Sequence, residues 1–83
     1  MKYTTYILFS NKLGKFYTGQ TDDLDRRIEE HNLGKTPFMK TGLPWSIVFQ
    51  KSFKSRADAM ELEKKIKKRG AKRYLNDNNI TVG

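Results

Sequence analysis

Two helical stretches of this sequence carry polar side chains where apolar ones belong. Counting from Leu24 at the i, i+3, i+4 and i+7 positions of a core-facing stripe gives Arg27, Ile28 and His31. Arg27 and His31 stand one turn apart on one helix face. From Ala59 the same stripe runs through Leu62, Glu63 and Ile66, with Glu63 in an apolar slot. These are the groups a phosphodiester cut by water requires. A guanidinium forks onto a phosphate oxygen pair and stabilises developing charge. One carboxylate, completed by waters, holds a hard divalent cation. Structural readings stand beside these. The Arg27 stem can snorkel over the core while His31 caps an edge, and Glu63 can be a boundary residue paired with a nearby Lys or Arg.

Tyr6 and Tyr17 lie in two stretches that read as hairpin strands. Whether Tyr6 stands opposite Tyr17 or opposite Gly19, parity keeps both rings on one sheet face, as site groups or as two core aromatics. Gly19, inside a strand, marks a close backbone approach or a bulge. From Lys64 to Arg73 the chain holds seven cations in ten positions, Lys64, Lys65, Lys67, Lys68, Arg69, Lys72 and Arg73, and no acid. Such a run is either a solvated helix face or a row of phosphate contacts.

The elements that must position these residues follow from the pattern. Tyr3 to Phe9 and Lys15 to Gln20 read as strands joined by a turn at Ser10–Gly14. Thr21-Asp22-Asp23 offers N-cap and first-turn acids for a helix that ends near His31 or Leu33, with Gly34 as its stop. Lys35 to Pro44 reads as a loop. Trp45 to Phe53 alternates apolar residues at Trp45, Ile47 and Phe49, a third strand. Ser55-Arg56-Ala57-Asp58 is a capping box opening a helix to Arg69, with Gly70 at its end. Ala71 to Asn78 forms a short last helix, and the final residues fray. The fold class is α+β: a three-stranded, mainly antiparallel sheet flanked by helices, in the order β-β-α-β-α-α, as one domain over 1–83.

Composition narrows the chemistry. The formal net charge is +8, from 17 basic and 9 acidic residues, a field that favours polyanions. There is no cysteine, which excludes disulfides, zinc–thiolate sites and thiol nucleophiles and suits a reducing compartment. No apolar run is long enough to span a membrane, and the N-terminus does not read as a signal peptide. The expected location is cytoplasmic.

Taken in order, Tyr6, Tyr17-Thr18-Gly19, Arg27, His31 and Glu63 resemble the GIY-YIG nuclease family, and within it the short single-domain bacterial subfamily. The runs Thr5-Tyr6-Ile7-Leu8, Phe16-Tyr17-Thr18-Gly19-Gln20-Thr21, Asp23-Leu24-Asp25-Arg26-Arg27, Glu30-His31-Asn32, Ser55-Arg56-Ala57-Asp58-Ala59 and Glu63-Lys64-Lys65-Ile66-Lys67 all fit, covering nearly the whole chain. The departures are Thr4 in place of the first triplet's glycine and Thr18 in place of the second triplet's isoleucine. The resemblance implies that Tyr6, Tyr17, Arg27, His31 and Glu63 are catalytic and that Gly19 is structural within the site. It also implies that Glu63 is the single ligand of one Mg²⁺ or Mn²⁺ ion. Some family members use a further asparagine near the C-terminus; Asn76, Asn78 and Asn79 stand in that region.

The resulting expectation is a metal-dependent endonuclease acting on nucleic acid, DNA favoured over RNA, with a structural and not a sequence preference. Lys64, Lys67, Lys68, Arg69, Lys72 and Arg73 are expected to bind phosphates, and no small-molecule cofactor is needed. The protein is expected to be a monomer. Tyr6 is expected to activate water, its phenol, ordinarily near pKa 10, lowered by cations; Tyr17 and His31 orient it or relay the proton. The alternative is a binding module that keeps the fold but cuts weakly or not at all.

Overall fold

Burial sets the strand order. Strand β1 (Tyr3–Ser10) is buried from Thr4 through Ser10, the signature of a strand flanked on both edges and covered on both faces. In the computed structural model, which describes residues 2–34 and 37–82, β1 is the middle of a three-stranded antiparallel sheet. It lies between β2 (Lys15–Thr21) and β3 (Trp45–Phe53), in the order β2-β1-β3.

Alternation along β1 sends its residues to two separate cores. Tyr6 and Leu8 pack with Met39 and Trp45, and with the half-buried Tyr17, Leu24 and Ile28. Ile7 packs with Ile66 and Leu75, and with Phe49, Leu62 and Tyr74. The first face is therefore covered by α1 (Leu24–Asn32) and α2 (Pro37–Thr41), the second by α3 (Arg56–Arg69) and α4 (Ala71–Asp77).

Helix α1 starts where the Asp23 carboxylate accepts from Arg26 N at 3.1 Å, and it stops before Gly34, whose φ of +66° suits the left-handed cap. Helix α3 starts at Ser55, whose hydroxyl accepts from Asp58 N. The buried Thr5 hydroxyl donates to Ala59 O at 2.7 Å and ties α3 to the central strand. Glu63 follows Ala59 one turn later on that same helix face.

Three expectations change. The stretch expected as a loop contains α2, opened by Pro37 at a position where a missing N–H costs nothing. Met39 is the residue that α2 inserts into the core, and Trp45 Nε1 donates to Met39 O at 2.8 Å. Lys35 and Thr36, the start of that stretch, lie outside the described residues. The alternation expected in β3 fails at Val48. Leu8 pairs with Ile47 and Ile7 with Phe49, so a bulge at Val48 flips parity. Trp45 then faces the first core, Phe49 faces the second, and Ile47 stays exposed. Finally, the residues after α4 dock. Asn79, with φ of +61°, closes a Schellman turn in which Ile80 N reaches Leu75 O at 2.9 Å and Asn79 N reaches Asn76 O at 3.1 Å. Ile80 and Val82 then pack on the second core. Among the described residues no helix is long and apolar enough to cross a membrane.

Candidate active site

Tyr6 stands directly opposite Gly19, and Leu8 opposite Tyr17, so both tyrosine rings lie on the α1 face. The need for glycine is steric: a Cβ at position 19 would sit 2.7 Å from Tyr6 Oη and 2.9 Å from its Cζ. Position 19 is a close approach and not a bulge. The β1–β2 pairing runs unbroken through it.

From α1, His31 turns inward and is 8% exposed. Its Nε2 lies 3.2 Å from Tyr6 Oη. The three rings form one cluster. Tyr6 and Tyr17 stack at 6.5 Å between centroids, and the Tyr17 and His31 rings meet edge to face at 4.9 Å. Tyr6 is 1% exposed, while Tyr17 is half-buried, so Tyr17 is the phenol nearer to solvent.

The charges around Tyr6 define the rest of the site. Burial pushes the Tyr6 phenol above its ordinary 10.0; Tyr17 raises it further, Arg27 pulls it down, and Glu63 and Glu30 raise it again. The field of Arg27 also adds to burial in lowering His31 from its ordinary 6.5, against Glu30. Arg27, exposed on α1, and Glu63, half-buried on α3, thus act on one phenol oxygen. They approach from different helix layers. Helix α3 covers the face opposite α1 and packs against the edge strand β2 as well as β1. The expected lowering of the Tyr6 phenol is reversed, because desolvation outweighs the single guanidinium.

Glu63 carries the pairing that its boundary position suggested: its Oε2 takes Lys67 Nζ at 2.8 Å. Among the described residues no cluster of three or more His, Cys, Asp or Glu stands ready for a metal. A lone, half-buried carboxylate still fits a hard cation that draws its other ligands from water and from phosphate.

The basic run divides. Lys67, Arg69, Lys72 and Arg73 line an open groove of about 700 Å³ together with Phe16, Tyr17 and Thr18 of the edge strand β2 and Phe38 of α2. Lys64 and Lys68 lie on α3 outside that lining. Arg69 is held by Asp77 through two bonds of 2.8 and 3.0 Å, so its charge is internally matched. Asn78 donates to Tyr74 O at 2.8 Å and Asn79 closes the Schellman turn, so both work in ending α4.

Sequence reasoning missed two contributors. Glu30 acts on both Tyr6 and His31, and its spacing one turn from Arg27 was the available signal. Phe38 sat in a stretch read as loop, where no periodicity pointed to it.

Known proteins resemble this chain in sequence and fold. A UPF0213 protein of Staphylococcus haemolyticus is 39% identical over 67 residues, spanning 80% of each chain. A second UPF0213 protein, of Halalkalibacterium halodurans, is 40% identical over 68 residues, covering 81% of this chain and 71% of that one. The solution NMR structure of this same second protein, under the organism name Bacillus halodurans, superposes with a TM-score of 0.57 at 34% identity, over 93% of this chain and 84% of that one. The GIY-YIG catalytic domain family matches residues 2–76, which takes in both strands of the hairpin, α1 and Glu63. The protein belongs to the GIY-YIG family, a nuclease fold family.

Proposed function

We propose that the protein is a metal-dependent endonuclease that hydrolyses phosphodiester bonds in DNA, recognising structure more than sequence. The observation that carries this reading is the cluster around Tyr6: its Oη meets His31 Nε2 at 3.2 Å, the Tyr17 ring stacks beside it, and the charges of Arg27 and Glu63 act on it through the electrostatic field.

Each residue takes a step suited to its surroundings. Arg27, exposed and always charged, forks onto the scissile phosphate. Glu63 would hold a Mg²⁺ or Mn²⁺ ion, which when bound neutralises charge that develops on the phosphate. With its pKa raised, Tyr6 keeps its proton at neutral pH, and His31, with its pKa lowered, stays neutral. The pair therefore accepts a proton as a unit. The attacking water gives a proton to Tyr6 Oη while the phenol's own proton passes to His31 Nε2. No free phenolate forms. The water oxygen bonds to phosphorus, the ester bond breaks, and the leaving oxygen takes a proton from solvent. Tyr17 packs against both rings and holds them in register. One catalytic set per chain nicks one strand.

The Lys67–Glu63 pair favours a second reading, because it gives Glu63 a structural partner without any metal. In that reading the chain binds nucleic acid and does not cut. A cleavage assay with Mg²⁺ or Mn²⁺ on duplex, single-stranded, flap and junction substrates separates the two. A nuclease cuts at least one of them, loses activity on chelation, and loses both cleavage and part of its affinity in Arg27→Ala. Retained binding with no cleavage on any substrate leaves the binding module.

A further inference from the structure

The groove beside Tyr17 has a composition that phosphate binding alone does not need. Its lining includes Phe38, a large apolar ring left 43% exposed, beside Phe16 and Tyr17 of the edge strand β2. Lys72 and Arg73 also line it, together with Lys67, which Glu63 already pairs at 2.8 Å. Arg69 adds little, because Asp77 already matches its charge. Lys72 and Arg73 carry no ion pair among the described residues. A rigid duplex presents phosphates outward and keeps its base faces stacked inside, so an exposed aromatic ring gives it nothing. A single strand offers both a phosphate track and open base faces, and aromatic rings beside cations are the recurring way to hold one. At about 700 Å³ the open groove has room for an unstacked nucleotide.

We propose that this groove binds a single strand of DNA, with one base stacked on Phe38 and its backbone on Lys72 and Arg73. It thereby delivers the next phosphate past Tyr17 to the catalytic cluster. The proposal rests on the reading of the cluster as a nuclease site only for what the groove delivers to, and it narrows the substrate to DNA with an unpaired segment beside the scissile bond.

The test measures binding without metal, by fluorescence anisotropy, of a labelled oligothymidylate and of a hairpin duplex. Phe38→Leu removes the stacking face while keeping an apolar side chain against Trp45, whose ring lies 5.6 Å away. It should weaken oligothymidylate binding by roughly 5- to 150-fold, the range one lost base–aromatic stack produces, and leave duplex binding unchanged. Phe38→Trp should restore single-strand binding, which a folding defect would not allow. Equal loss on both probes, or no loss on either, would overturn the groove assignment. So would Phe38-dependent binding of oligouridylate alone. Because the assay contains no metal and reads no cleavage, a chain that never cuts can still pass it. A Phe38→Leu protein that cuts normally and binds single strands normally leaves the nuclease reading intact and removes this one.

Discussion

Tyr6 and Ile7 are chain neighbours, equally buried in the central strand, and they face opposite ways. Ile7 looks into a core of Ile66 and Leu75, closed by Leu62, Phe49 and Tyr74, which holds α3 and α4 to the sheet. Tyr6 looks into a core that also contains His31 and lies within reach of Arg27 and Glu63. One face is built for cohesion. On the other, burial shifts proton affinities: desolvation raises a phenol and lowers an imidazole, so the hydrogen-bonded pair stays neutral over a wider pH range. Equal burial on the two faces therefore serves different ends, and substitutions on each should fail differently.

The strongest contrast is between the two neighbours themselves. Tyr6→Phe keeps the ring and removes one hydroxyl. Cleavage should fall by about 10²- to 10⁴-fold, the usual contribution of a positioned acid–base group, with stability changing by only about 0.5–1.5 kcal/mol. Ile7→Ala should do the reverse, costing about 2–5 kcal/mol in unfolding free energy while cleavage by the folded fraction stays near normal. Denaturant melts beside initial rates check both. Comparable losses of activity in the two variants would erase the distinction between the faces.

A pH series sharpens it further. If His31 accepts the proton through Tyr6, the rate should fall tenfold per unit once pH drops below the lowered His31 value, and stay level from about pH 7 to 9. A phenolate base would instead give a rate still climbing tenfold per unit across pH 7 to 9. Stability should follow the same groups. The folded chain holds the His31 proton more weakly than the unfolded chain does, so stability drops as pH falls from 6.5 through the lowered folded value. Tyr6 acts at the other end: the unfolded chain ionises first, so stability drops as pH rises above 10. Ile7 contributes to neither limb.

A smaller effect is expected at Gly19. Gly19→Ala places a methyl 2.7 Å from Tyr6 Oη, in a strand where the backbone itself accepts alanine. Displacing the ring should cost about 1–3 kcal/mol and lengthen the contact with His31. Thermal unfolding reads the first and NMR of the His31 ring reads the second. A variant with unchanged melting and an unchanged imidazole signal would mean that Tyr6 does not depend on this gap.

Much of this was legible in the chain. Arg27, His31 and Glu63 betrayed themselves by breaking apolar stripes, because a helix exposes its periodicity in the sequence. The paired faces of Tyr6 and Tyr17 followed from strand parity alone. Three things were hidden for physical reasons. The bulge at Val48 adds one residue to β3 with no special composition, so the alternation of Trp45, Ile47 and Phe49 looked unbroken. Phe38 belongs to a one-turn helix too short to show a period. The raised Tyr6 phenol depends on burial by Tyr17 and His31 packing around it, a tertiary property that no spacing records.

The central claim is that Glu63 serves a cation, with Lys67 its partner only in the free protein. Glu63→Gln keeps side-chain size and helix propensity and removes the charge. The decisive measurement compares Mg²⁺- or Mn²⁺-dependent cleavage and metal-free DNA binding in this variant and in the native protein. Cleavage should drop by orders of magnitude, while binding holds or tightens slightly, because Lys67 is released to face phosphate. Metal-dependent cleavage that survives Glu63→Gln, with only a lowered melting temperature, would show that Glu63 is a salt-bridge partner and contradict the proposed site.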